Sequence, residues 1–140
     1  MGSGRIKERI RENAEEIVRL HSRIHETVKH RTKNPEKRRE WEQACAEFHA
    51  RYEGLAFPGG YRNALERISR GDPEAMEAAI CFLELRPYFF RSGYMFKAIL
   101  PRCRRAPLTS GQAARLKSIE QKLAEWRQQK LSKKGQRKGK

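Results

Sequence analysis

Residues 10–28 read IRENAEEIVRLHSRIHETV, and the spacing of their apolar positions decides the fold class. Ile10, Ala14, Ile17, His21, Ile24 and Val28 alternate steps of four and three, and Ile6 and Leu20 widen the stripe. Such spacing lines these side chains along one side of a helix, and no Gly or Pro interrupts the chain from Arg5 to Arg31. The stretch therefore predicts a helix of about seven turns with a single apolar seam. The seven-residue repeat suits pairing with another seamed helix, from this chain or from a second copy, so a homo-oligomer through the seamed helices is one expectation.

Working outward, the same signals recur. Asn34-Pro35-Glu36 combines an Asx cap, Pro at the first helical position and an acid in the first turn. It predicts a second helix to about Tyr52, with Trp41, Ala44, Cys45, Phe48 and Tyr52 on one face. After the Phe57-Pro58-Gly59-Gly60 loop, Tyr61, Ala64, Leu65 and Ile68 predict a short third helix ending at Gly71. Asp72-Pro73-Glu74 repeats the cap logic for a fourth helix to about Leu85, stopped by Pro87. Ser92 is a candidate cap for a fifth helix to about Leu100, where Pro101 is expected to end or kink it. Thr109 to Gln112 fits a capping box, and Ala113, Leu116, Ile119, Leu123 and Trp126 form a second long seam.

No run keeps the period-two alternation of a strand, so the expected fold is all-α: a small bundle of about six helices with long first and last members. The short central helices, meeting at Pro and Gly turns, resemble HEAT-like hairpins, without any repeated sequence period. Met1 to Gly4 are expected to be a flexible leader, residues 5–131 a single helical domain, and residues 132–140 (SKKGQRKGK) a disordered basic tail.

Charge gives the functional direction. The formal net charge is +15. Residues 1–84 hold sixteen Lys and Arg against fifteen Asp and Glu, whereas residues 85–140 hold sixteen against two. Between Glu84 and Glu120 there is no acid, while Arg86, Arg91, Lys97, Arg102, Arg104, Arg105, Arg115 and Lys117 all fall in that window. Lys133 and Lys134 continue the excess into the tail. A one-sided run of this kind calls for an anionic partner, because surface charge that serves solubility alone has mixed signs. Each cation that meets a phosphate releases a condensed counterion, which makes nucleic acid the leading candidate. The backbone amides near Ser92 and Gly93, beside Arg91, are a further place for one phosphate.

At the junction of the two halves lies RPYFFRSGYMFK, residues 86–97, with five aromatic rings among three cations. Met95 with Ile99, and Phe96 with Leu100, are each four apart, which makes the fifth helix apolar on two sides and so largely buried. The rings of Tyr88, Phe89 and Phe90 are accordingly expected inside a buried hinge, with a Tyr88 or Tyr94 hydroxyl at the surface and the neighbouring cations outside.

Catalytic chemistry finds few candidates. His21 and His25, four apart, could share a metal, but no third ligand stands at a recognised spacing, and neither a metal nor another cofactor is expected. HExxH, GxSxG, P-loop and GxGxxG patterns are absent. The three cysteines, Cys45, Cys81 and Cys103, are widely spaced in apolar surroundings and read as thiols in a reducing compartment. With no apolar run long enough to span a bilayer, the chain reads as cytoplasmic. The function expected is non-enzymatic binding of nucleic acid (DNA or RNA) or ribonucleoprotein through the basic second half. The alternative is a helical adaptor that docks an acidic protein surface, and weak binding to anionic lipid ranks last.

Overall fold

The computed structural model describes residues 2–138, with side chains placed for residues 3–133. Six helices carry the chain: α1 (Gly2–Val28), α2 (Pro35–Ala56), α3 (Ala64–Ser69), α4 (Pro73–Leu85), α5 (Ser92–Arg105) and α6 (Ser110–Lys138). Among the described residues there is no strand, so the fold is all-α, with the long first and last helices read from the seams. None of these helices is long and apolar enough to cross a membrane. The chain forms two compact units, Met1–Pro107 and Leu108–Lys140, where the composition suggested one domain.

In the first unit α1 lies along α2 and against α4, while α3, α4 and α5 pack on one another. Ion pairs show that α1 and α2 run antiparallel: Arg23 meets Glu47 at 3.0 Å, and further back along α1, Glu16 meets Arg51 at 3.8 Å. Lys7 reaches Glu84 of α4 at 3.1 Å. The near-neutral first half thus sets its charges against one another. The α1 seam buries Ile10, Ala14, Ile17 and Leu20. The centre of the unit is α4, which buries Ala75, Met76 and every residue from Ala78 to Leu83, the behaviour of a helix apolar all round. Phe82 lies between Phe57, at 6.2 Å between ring centroids, and Phe89, at 6.3 Å.

Local chemistry sets the starts of α2, α4 and α6. The Asn34 Oδ1 atom accepts from the Lys37 amide at 2.8 Å, and Asp72 Oδ1 accepts from the Glu74 amide at 3.3 Å. At the head of α6 the capping box closes in both directions, Gln112 amide to Thr109 Oγ1 at 3.1 Å and Thr109 amide to Gln112 Oε1 at 3.0 Å. Gly71 ends the α3 turn with φ +84°, and a Cβ there would lie 2.7 Å from Pro107 Cγ. Both facts require glycine.

Several helix limits differ from the sequence expectation. Residues 2–4 belong to α1 instead of forming a leader, and the Ser3 hydroxyl donates to Glu77 at 2.6 Å. α2 runs through Gly54 to Ala56, which brings Ala56 and Phe57 into the core; burying a phenylalanine outweighs the roughly 1 kcal/mol that a helical glycine costs. α3 is only six residues long, because Tyr61 to Asn63 are held in a turn by Glu53, whose carbonyl and Oε1 accept from the Tyr61 and Arg62 amides at 3.1 and 2.6 Å. α5 does not stop at Pro101 but continues to Arg105. The carbonyl deprived of its helical partner by that proline belongs to Lys97. α6 is helical beyond residue 131, through Lys138; Gly139 and Lys140 of the expected tail lie outside the described residues.

His21 packs as an aromatic. Its ring lies 5.5 Å from Phe48, 4.9 Å from Phe90 and 4.6 Å from His25 between centroids. Burial, and then the nearby His25, push its pKa below the ordinary 6.5. The unfolded chain therefore binds a proton at higher pH than the folded one, so stability is greatest above pH 6.5 and falls as the pH drops through that value. Thermal melts between about pH 7 and about pH 5 are expected to show this decline, and His21→Leu to flatten it. An unchanged slope in the variant would move the effect to other groups.

All three cysteines are thiols. Burial pushes Cys103 up to about 12, so it is protonated and inert at neutral pH. The Cys81 thiol donates to Glu77 Oε2 at 3.3 Å. No group of three or more His, Cys, Asp or Glu among the described residues is placed to hold a metal.

Candidate nucleic-acid interface

The geometry of α5 sorts its residues by side. Met95, Phe96, Ile99, Leu100 and Cys103 are buried, while Tyr94, Lys97, Arg102, Arg104 and Arg105 are exposed. At 100° per residue the two sets occupy separate arcs, so one helix shows an apolar side to the core and a cationic side outward. No acid occurs anywhere on it. The Arg102 guanidinium donates to Ser69 Oγ of α3 at 3.0 Å, which fixes one cation of the face against a neighbouring helix. Arg102, Arg104 and Arg105 also occupy the last turn, where cations stabilise the helix by about 0.3–1 kcal/mol each. That stabilisation explains three cations at this end but not Lys97, Arg86 or Arg91.

Arg86 and Arg91 bracket the loop that leads into α5, and both adopt left-handed backbone, φ 52° and φ 67°. Arginine carries a Cβ penalty there, so two such residues five positions apart mark a segment held by its surroundings. Several contacts hold it. The Arg86 amide donates to the Phe82 carbonyl at 2.8 Å and closes α4. The Tyr52 hydroxyl donates to the Phe90 carbonyl at 2.6 Å, and the Phe89 amide donates to Ser92 Oγ at 3.1 Å. Each guanidinium lies over a ring, Arg86 over Phe96 at 4.9 Å and Arg91 over Phe90 at 5.3 Å.

A pair of substitutions separates backbone from side chain at Arg91. Arg91→Val is expected to lower stability by about 1–3 kcal/mol, because a β-branched residue tolerates left-handed backbone worst. Arg91→Gly removes the same guanidinium and is expected not to lower it. Equal melting temperatures for the two variants would show that the conformation carries no strain.

Two sequence expectations change here. Ser92 is the first residue of α5 and not its cap, and its amide donates to the Phe89 carbonyl at 3.0 Å, so it is unavailable to a phosphate. The hinge is only partly buried. Phe89 and Phe96 are inside, but Tyr88 is 90% exposed, Tyr94 75% and Phe90 41%. The rings of Tyr88 and Tyr94, and not merely their hydroxyls, stand in solvent among Arg86, Arg91 and Lys97. Spacing could not place Tyr88, because loop residues obey no period that sorts inside from outside, whereas Tyr94 falls on the outward arc of α5.

The first unit therefore holds six of the ten cations singled out from the sequence: Arg86, Arg91, Lys97, Arg102, Arg104 and Arg105, all exposed. The second unit holds the others on α6. Arg115 is half-buried and Lys117 exposed near its start; Lys133 is exposed about 24 Å further along the helix, and the Lys134 side chain lies outside the described residues. The α6 seam buries Leu116, Ile119 and Leu123, but Trp126, expected to extend it, is half-exposed with the Lys130 ammonium 4.8 Å over its ring. Comparison with protein-family models, curated proteins and solved structures finds no match to this chain.

Proposed function

We propose that the protein is a nucleic-acid or ribonucleoprotein-binding protein, without catalytic activity, that engages phosphates through the outward side of α5 and the loop before it. The observation that carries this reading is that α5 bears no acid of its own while Lys97, Arg102, Arg104 and Arg105 are exposed on it, with Arg86 and Arg91 exposed in the loop before it. The cations belong to a helix and to a loop fixed by hydrogen bonds, so the backbone that carries them needs little ordering on binding. In the first half, Arg19, Arg23, Lys37, Arg38 and Arg51 face carboxylates within their own helices or the adjacent one.

Capture of the tagged full-length chain from lysate, with and without nuclease, tests the proposal against an acidic protein partner. Nucleic acid is expected in the untreated eluate, and nuclease is expected to release whatever travels with it. A partner retained after nuclease and at moderate salt would be a protein bound directly, and would contradict the proposal.

A further inference from the structure

We infer that Tyr88 and Tyr94 are base-stacking platforms, so that the partner of this surface is a single strand with unstacked bases and not a duplex. The inference rests on the nucleic-acid reading above and names the form of nucleic acid it takes. Two large rings are 90% and 75% exposed within seven residues of chain, on a surface that otherwise bears cations. Their neighbours in sequence, Phe89 and Met95, are buried, so the backbone at both places is anchored while the ring points away from it. Burial elsewhere does not explain the rings, and water is a poor environment for them.

A base in a single strand has an open face, and any base suits an exposed ring, while phosphates on either side suit Arg86, Arg91 and Lys97. In a duplex both faces of each base are already covered, so the rings would gain nothing there. A bilayer surface fits less well. A helix that lies in lipid needs an apolar side to insert, and the apolar side of α5 is in the core. An acidic protein would satisfy the cations, yet it has no special use for two rings.

The test uses the full-length chain, the Tyr88→Ala/Tyr94→Ala pair and the Tyr88→Phe/Tyr94→Phe pair. Each is titrated into a labelled oligouridine of about 16 nucleotides, an RNA duplex of similar length, and vesicles containing phosphatidylserine. Since both rings are exposed, melting temperatures close to the parent's are expected for both pairs. The alanine pair is expected to bind the single strand about 100-fold more weakly, roughly tenfold per ring, while the phenylalanine pair keeps the parent affinity. Duplex binding, which depends on charge alone, is expected to be the same for all three. Unchanged single-strand affinity in the alanine pair, with salt-sensitive binding intact, would overturn the stacking inference and leave the phosphate-binding reading standing. Equal losses on strand and duplex, or ring-dependent binding to vesicles in preference to RNA, would also overturn it. Failure of the parent chain to bind either RNA would remove the nucleic-acid reading itself.

Discussion

Replacing Arg102, Arg104 and Arg105 together by glutamate is expected to weaken oligonucleotide binding by on the order of 100-fold and to reduce the salt slope by about two. The three cations lie on the last turn of α5, exposed and without an acid on their helix, where the proposed function places a polyanion. On the proposed function, charge reversal would remove phosphate contacts at these positions and add repulsion. It also places acids at a helix C-terminus, which costs about 0.3–1 kcal/mol each, so glutamine at the same three positions is the companion variant. Glutamine is expected to reproduce the change in slope with a smaller loss of affinity. Removing residues 132–140 deletes five cations, against three lost in the triple glutamate variant, but is expected to weaken binding less. Equal binding by parent and triple variant would show that the α5 face is not the contact.

The second large effect is on stability. Phe82→Ala is expected to cost about 3–5 kcal/mol, read as a lowered urea midpoint, against a total of about 5–15 kcal/mol for a protein of ordinary stability. Phe82 is 0% exposed in the last turn of α4, with the Phe57 and Phe89 rings on either side. A cavity there removes apolar burial and two ring contacts at once. Because Phe89 anchors the loop from Arg86 to Arg91, the same variant is expected to shift that loop and weaken single-strand binding even while folded. Phe82→Leu keeps most of the volume and is expected to cost clearly less. A midpoint barely moved by Phe82→Ala would contradict the placement of the core around α4.

What could be read from the sequence follows from how local each cause is. Asn34, Asp72 and Thr109 make their capping bonds within three residues, and all three caps are present in the fold. Ile10, Ala14 and Ile17, and later Leu116, Ile119 and Leu123, declare a helix side through spacing alone, and these positions are buried. Limits set by partners far along the chain were not legible. Nothing within residues 2–4 announces Glu77, and nothing around Gly54 announces that Phe57 will be covered by Phe82. Pro101 carries a strong local stop signal, yet the helix goes on to Arg105.

The same division runs through the candidate site. Lys97, Arg102, Arg104 and Arg105 could be named from charge and placed outward from the apolar positions between them. Left-handed backbone at Arg86 and Arg91 left no trace in residue type, since glycine or asparagine would be its usual mark. The sequence equally offered no way to put Phe89 inside and Tyr88 outside, because alternation in a six-residue loop depends on where its two ends are fixed.

The most direct test of the phosphate-binding role is the affinity of the intact chain for a labelled single strand across a salt series. The expected result is a straight line on logarithmic axes, falling with a slope of about −0.7 for each phosphate neutralised and totalling several units. Binding that ignores salt, or no binding at the lowest salt, would contradict it.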